Sequence, residues 1–436
     1  MTEHQLFLFL AEAAVLVVAA RLGGELALRV GVPQVVGELV LGICLGPSLF
    51  GLLWKGGFAA LFPADPIQRN LLEIIGWMGV IFLVVISGLE TRLETLRNSG
   101  RAVAAGWLGG FSLPFALGFG LGWLVPPKLI GAGISRPLFA LFMATAMSIS
   151  AIPVIARILL DLDLLSTRIG MLILSTATAD DTVGWIILAV VTGLASVGHR
   201  VDVPTVLTAL LGTAGFLILA ATVGQRLVDG VLGASARLRL PHAQLTAVLV
   251  LVFLGAGLTQ AIHVHLVLGC FVTAILIARS RHLERGSIEA VRTIGMAFFV
   301  PFFFSYTGIK VDLTTVTGSA VPVAVAAVVV AYLGKLVGGG VGARLGGLPR
   351  WEAAAVGAGR NARGAMELVI AAVGVSIGVL TPAMFAIVVL IAVTTTLTAV
   401  PMLKYCVRRQ QEVDALQAAP VPAEFVDRVA SSPDPG

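Results

Sequence analysis

Charge is what this sequence has least of. Only 12% of its 436 residues are Asp, Glu, Lys or Arg and 58% are hydrophobic, where soluble domains carry roughly a quarter charged residues. That balance excludes a water-solvated globule and places the chain in a lipid bilayer. Period-2 alternation is also missing, so the apolar runs of about 20 residues read as helices and not as barrel strands. Cysteine is scarce. Cys44, Cys270 and Cys406 stand far apart, with no CxxC spacing or histidine cluster beside them, which excludes a thiol redox centre or metal site and leaves small apolar packers. There is no phosphate-binding loop and no dinucleotide fingerprint, so no cofactor and no ATP-driven chemistry are implied. The formal charge of +5 does not point to nucleic acid, because the arginines lie singly or in small groups at the ends of apolar runs. The opening MTEHQLFLFLAEAAVLVV lacks a basic n-region and an Ala-x-Ala site, so the first apolar run is expected to remain a helix.

What is present is an all-α polytopic pattern of about thirteen transmembrane helices. They are expected at about 6–30, 34–52, 70–90, 101–126, 137–160, 167–194 and 203–230, then at about 243–262, 264–281, 288–309, 318–346, 352–377 and 382–405. Basic residues test the count, since short cytoplasmic loops are enriched in Lys and Arg. Alternate loops carry Arg92, Arg97 and Arg101; Arg157 and Arg168; Arg226, Arg237 and Arg239; Arg279, Arg281 and Arg285; Arg344 and Arg350; and Lys404, Arg408 and Arg409. The opposite side is sparse, with Lys55, Arg69, Lys128, Arg136, Arg200 and Lys310. The expected N-terminus is outside and the C-terminus cytoplasmic. One membrane domain, 1–405, is followed by a Pro- and Ala-rich tail, 406–436, expected to be disordered.

With an odd count, the seventh helix would reverse a second six-helix unit in the membrane, giving the inverted-repeat plan of secondary transporters. The fifth and twelfth segments then correspond, and each is interrupted: Ser148-Ile-Ser150-Ala-Ile-Pro153 in one, Gly359-Arg360-Asn361-Ala-Arg363-Gly364 in the other. Discontinuous helices in matching positions point to a midplane binding site. A proline kink and a loop misjudged as helix are the plainer alternative.

The sixth segment, MLILSTATADDTVGWIILAVVTG, carries Asp180 and Asp181 near its centre. Each charge at that depth costs about 2.5 to 3.5 kcal/mol on insertion scales, so both need a partner or a task. Neighbours on a helix point about 100° apart, so the two cannot face one partner. A division of labour is expected, with one carboxylate in a salt bridge and the other exchanging a proton for a cation. Lys335, the only Lys or Arg deep within its run, is the expected partner, with snorkelling to the cytoplasmic face as the alternative. Arg363 and Glu367, four apart, either pair with each other or serve the break, Glu367 bracing the unwound backbone or lining a cavity. Ser148 and Ser150 either offer oxygens to a dehydrated Na⁺ or K⁺ or bond their own backbone. Glu12, Glu38 and Glu90 are placed near interfaces or bundle contacts, and His263 and His265 flank an outer turn.

Taken together, SISAIPVIARIL, TADDTVGWIILAVV, YLGKLVGG and NARGAMELVIAAVG, in this order and on these helices, resemble the monovalent cation:proton antiporter-2 family. VPQVVGELVLGICLGPSLFG and GVIFLVVISGLE extend the likeness over about residues 6–405. The resemblance implies a homodimer in a bacterial inner or other plasma membrane, with dimerisation and core subdomains. It implies a core of two crossed discontinuous helices, elevator-like alternating access, and secondary active exchange of Na⁺ or K⁺ for protons, without enzyme activity. It matches Asp181 to the family's ion-binding aspartate, so the monovalent cation belongs there, and Asp180 to the preceding position, acidic in electrogenic members. Lys335 matches the lysine paired with that position, and Glu367 the acidic residue of the second broken helix. Kef-type members carry a nucleotide-binding domain after the last helix, and only about thirty residues follow here. A passive cation channel, Kef-type K⁺ efflux and an intramembrane aspartyl protease are the competing classes; the protease needs its acids on different helices and a Gly-x-Gly-Asp motif that is absent.

Overall fold

A computed structural model describes residues 2–91, 100–165, 167–196, 203–262 and 264–418. Arg92, Arg97, Arg200, His263 and residues 419–436 of the expected tail lie outside the described residues. Every expected span has a helical counterpart. These are α1 (Glu3–Arg29), α2 (Gln34–Leu53), α3 (Pro66–Glu90), α4 (Arg101–Leu124), α5 in two halves (Arg136–Ser148 and Ile152–Asp161), α6 (Arg168–Ser196) and α7 (Val203–Leu219 continuing to Ser235). The second set is α8 (Ala243–Ala261), α9 (Leu266–Ala278), α10 (Arg285–Thr315), α11 (Ala320–Leu345), α12 in two halves (Arg350–Arg360 and Ala365–Ser376) and α13 (Pro382–Ala418). Ten of the described helices are long and apolar enough to cross a membrane. The remaining three segments are α9, with 13 residues, and the two broken helices.

Local chemistry sets the ends. Thr2 and Gln5 form a reciprocal capping box at the start of α1. Asp65 caps α3, accepting from the Ile67 N–H at 2.9 Å, with Pro66 in the first turn. Gln5 Nε2 donates to Asp65 Oδ2 at 2.7 Å and ties the two helix starts together. At the other end of the chain, α13 runs on to Ala418, past the boundary expected at 405, so residues 406–418 are helix. KYCVRRQQEV has no Pro or Gly to stop it, and Arg408 and Arg409 pair with Glu412 along the exposed face.

Two groups of helices pack within the chain. In one, α1 lies on α2, and α10 lies on α1, α2 and α3, while α3 also packs on α9. In the other, α4 is wedged between the first half of α5 and α11, and the first half of α12 lies on α11 and α13. The α4–α11 approach is backbone to backbone: a Cβ on Gly338 or Gly342 would collide with the carbonyls of Gly109 and Ala105. This places α11, and Lys335 on it, against the middle of the second group. Two cavities lie along the seam between the groups. One, about 940 Å³, is bordered by α1, α2, α3 and α10 on one side and by the second half of α5 and α6 on the other. The smaller, about 320 Å³, lies toward the opposite end, between α3 and α10 on one side and α12 and α13 on the other.

Candidate ion-binding site

Both breaks are real interruptions, and they meet. The first half of α5 ends at Ser148; Ile149 and Ala151 are extended, and the second half starts at Ile152. In α12 the break ends at Gly364, whose φ of 133° is open only to glycine. Ser150 Oγ lies 3.3 Å from the Arg360 carbonyl oxygen, and Arg363 Nη2 donates to the Met147 carbonyl at 2.8 Å, so each break supplies partners to the other.

A helix that stops inside a membrane leaves its last carbonyls without partners and its C-terminal end partially negative. Here cations meet that end. Arg363 donates to the carbonyls of Met147 and, at 3.4 Å, Ala146. Lys335 Nζ donates to the Ser148 carbonyl. Lys335 stands in a π-helical turn, Leu333–Val337, a local widening common at functional sites. On the opposite sign, Glu367 falls in the first turn of the second half of α12, where the dipole favours an acid.

The adjacent aspartates are treated in opposite ways. Asp180 is saturated. Its Oδ2 accepts from Ser150 Oγ at 2.7 Å, Lys335 Nζ at 2.8 Å and Arg360 Nη2 at 2.8 Å, and its Oδ1 accepts from Arg360 Nη2 at 2.7 Å. Asp180, Lys335 and Arg360 are all 0% exposed. Among the described residues the Asp181 carboxylate, equally buried, takes a single hydrogen bond, from Ser87 Oγ on α3 to its Oδ2 at 3.0 Å. Its Oδ1 has no partner and it makes no ion pair among the described residues. The 100° turn between neighbours produces the difference, aiming one side chain at α11 and α12 and the other at α3. Hydroxyls near them on α6 do not compete, because Ser175, Thr176, Thr178 and Thr182 bond carbonyls one turn back.

Lys335, Arg360 and Arg363 are the only buried cations among the described residues, and with Asp180, Asp181 and Glu367 they form a cluster of three acids and three bases. The expected Asp180–Lys335 pair is present, and full burial of Lys335 removes the snorkelling alternative. Arg363 and Glu367 pair at 3.0 Å as expected, while Arg363 also reaches the α5 break. The serines separate. Ser150 reaches Asp180, whereas the Ser148 hydroxyl is turned to the Ala144 carbonyl at 2.7 Å and only its backbone carbonyl faces the cluster. Of the two placements expected for Glu12 and Glu38, interface or bundle contact, the structure shows the second: both are buried, and Glu38, which accepts from Gln34 at 2.7 Å, borders the larger cavity. Glu90 pairs with Arg292 at 2.5 Å beside that cavity. His265 caps α9, its Nδ1 accepting from the Val267 N–H at 3.4 Å.

Arg360 was the residue the sequence did not single out. It looked like a loop arginine in the break, and its distinguishing signal is on another helix. Arg360 Nη1 donates to the Gly106 carbonyl at 2.6 Å, and a Cβ on Gly110 would occupy the guanidinium's place. Asn361, buried in the same break, has neither side-chain polar atom partnered among the described residues. Ser87, inside VVISGLE, gave no signal beyond being a polar residue in an apolar run.

Comparison with known proteins fits this geometry. The description "Sodium/hydrogen exchanger, transmembrane" matches residues 14–408. The chain is 32% identical over 406 residues to the Na(+)/H(+) antiporter NhaS4 of Synechocystis sp., covering 92% of this chain and 98% of that protein. It is 31% identical to the Na(+)/H(+)-K(+) antiporter GerN of Bacillus cereus, covering 92% of this chain and 96% of the relative. Against the matching cation/H(+) antiporters of Arabidopsis thaliana it spans about half the relative's length. In structure it is similar to the sodium proton antiporter MjNhaP1 of Methanocaldococcus jannaschii, with a TM-score of 0.60 at 16% identity over 91% of this chain and 96% of that one, which identifies the antiporter fold. The chain therefore belongs to the transmembrane sodium/hydrogen exchanger family, as a multi-span membrane transporter and not an enzyme.

Proposed function

We propose that the protein exchanges a monovalent cation, Na⁺ or K⁺, for protons, and that Asp181 is the carboxylate that holds either. One observation carries the assignment: of two adjacent buried acids, Asp180 is saturated by Lys335, Arg360 and Ser150, and Asp181 keeps an oxygen without a partner. A buried carboxylate with an open oxygen, one helical turn beyond the lining of a cavity, can take up a dehydrated cation or a proton and is costly with neither. Relatives named as Na⁺/H⁺, Na⁺/H⁺-K⁺ and K⁺/H⁺ antiporters support this substrate class.

The same geometry supports electrogenic exchange. Asp180 has two cations, so Arg360 continues to balance it if Lys335 gives up its proton. Cation entry at Asp181 with loss of protons from Asp181 and Lys335 then moves two protons against one cation. Arg157 and Arg292 beside the larger cavity, read with the charge bias of the loops, support an orientation with that cavity on the cytoplasmic side, the N-terminus outside and the C-terminus inside. The two helix groups meeting at the seam would be the dimerisation and core subdomains of 1–405. Elevator-like movement of one against the other would alternate access, in a homodimer in the plasma membrane.

The test is exchange in proteoliposomes against Na⁺, Li⁺, K⁺ and Rb⁺ at several pH values. Uphill cation movement driven by an imposed pH gradient is the expected result, and a passive channel cannot produce it. Asp181→Asn should abolish exchange while the protein stays folded; pH-driven transport retained in that variant would sink the assignment.

A further inference from the structure

Asp181 and Asp180 are held by different parts of the molecule. Among the described residues, the side chains that bond the Asp180 carboxylate come from α5, α11 and α12, whereas the single side-chain partner of Asp181 comes from α3, across the seam. Ser87 is wholly buried, and its own carbonyl accepts from Thr91 Oγ1 at 2.9 Å, so the last turn of α3 is fixed around it. The larger cavity passes close to this bond, although neither Ser87 nor Asp181 lines it. Its lining on α3 includes Leu83 and Ile86, and on α6 it stops at Thr178, one turn short of Asp181. The smaller cavity follows the same seam further along α3, at Gly76, Trp77 and Val80.

We propose that Ser87 distinguishes a loaded Asp181 from an empty one: its hydroxyl ties the empty carboxylate to α3, and an arriving alkali-metal cation releases that tie. The inference rests on Asp181 being the exchanged carboxylate. A serine hydroxyl has one hydrogen, and here it points at Oδ2. A cation that enters at the open Oδ1 and is held by both carboxylate oxygens must face the lone pairs of each, so the hydrogen on Oδ2 has to rotate away, leaving Oγ as a further hard donor. The bond across the seam then exists in the empty protein and is lost in the cation-loaded one. Only an interaction that differs between two states shifts the balance between them. An exchanger has to suppress the return of its empty site, since that return lets cation flow without counter-flow. A hydrogen bond to a charged group is worth roughly ten- to a hundredfold in such a balance.

Ser87→Ala and Ser87→Cys, the latter nearly isosteric with a weak donor, are reconstituted beside Ser87→Thr, which keeps the hydroxyl. Tracer uptake of Na⁺ and of K⁺ is measured without a counter-gradient, together with the number of protons moved per cation. The expected result is uncoupled flux raised about tenfold in the Ala and Cys variants, fewer protons per cation, and near wild-type coupling in Thr. A purely structural role would lower all fluxes together and would not separate Thr from Ala. Wild-type coupling in Ala and Cys variants that elute and unfold as the parent does would overturn the proposal alone, provided Asp181→Asn is inactive. Exchange surviving Asp181→Asn would overturn the carboxylate assignment and this inference with it.

Discussion

Replacing Asp180 by Asn tests the cluster most directly, because the structure says what each neighbour loses. Asp180 is the counter-charge of both Lys335 and Arg360, all three wholly buried. Asp180→Asn leaves two cations facing an amide, one of whose polar groups is itself a donor. Uncompensated buried charge of this kind costs about 3–5 kcal/mol. Lys335→Gln is milder. Asp180 keeps Arg360 at 2.7 and 2.8 Å and Ser150 at 2.7 Å, so its own loss is close to one charge-assisted hydrogen bond, about 1.5–3 kcal/mol, to which the Ser148 carbonyl adds the loss of its lysine donor. The double variant removes the acid and one of the cations it left stranded, so it should be no less stable than Asp180→Asn alone. The two changes should therefore fall short of their sum by at least about 1.5 kcal/mol, well outside the scatter of independent sites, about 0.3–0.5 kcal/mol. Denaturation midpoints of the four purified proteins in one detergent give the cycle. Additivity, or an Asp180→Asn variant as stable as the parent, would refute a shared network.

Three further outcomes follow from the geometry. Ser150→Ala removes a donor to Asp180 and should lower exchange several-fold, while Ser148→Ala, whose hydroxyl bonds Ala144, should leave it within about twofold, as read by proteoliposome rates. Lys335→Arg keeps a fixed charge that cannot give up its proton; if the second proton leaves from Lys335, exchange should become electroneutral, and unchanged dependence on membrane potential would contradict it. His265, in the turn before α9, has its imidazole pushed down to about 4 by burial and is uncharged between pH 5 and 8. His265→Gln should leave the pH profile of exchange in place. Because the unfolded chain takes up a proton near pH 6.5 and the folded one only near 4, stability should fall as pH drops through that window, and this loss should be smaller in the variant.

Much of the fold was legible because a bilayer leaves few options: spans show as apolar runs, and the interruptions at 148–153 and 359–364 show as residues that lipid does not tolerate. The aspartates were legible for the same reason. The end of α13 was not, since an Ala- and Gln-containing stretch beyond the apolar run continues a helix as readily as it leaves one. Arg360 was hidden by its surroundings: an arginine among Gly, Asn and Ala resembles a cytoplasmic loop until α4 brings Gly106 and Gly110 against it. Ser87 was hidden because its function depends on a partner 94 residues away. Helical spacing predicts pairs such as Arg363 and Glu367, but it says nothing about which helix faces which.

The adjacency of the two aspartates gains its meaning from that long-range packing. Neighbouring acids on one helix repel, and in an apolar medium both cannot persist ionised without opposite charge nearby. The broken helices provide it asymmetrically. The C-terminal end of the first α5 half and the α12 break gather Lys335, Arg360 and Arg363 on one side of α6, the side that Asp180 faces. Asp181 sits within the field of those cations without bonding to any of them. Breaking two helices at the middle of the membrane therefore does more than free carbonyls. It gathers three positive charges on the side that Asp180 faces, and leaves the open oxygen of Asp181 for an ion from solution.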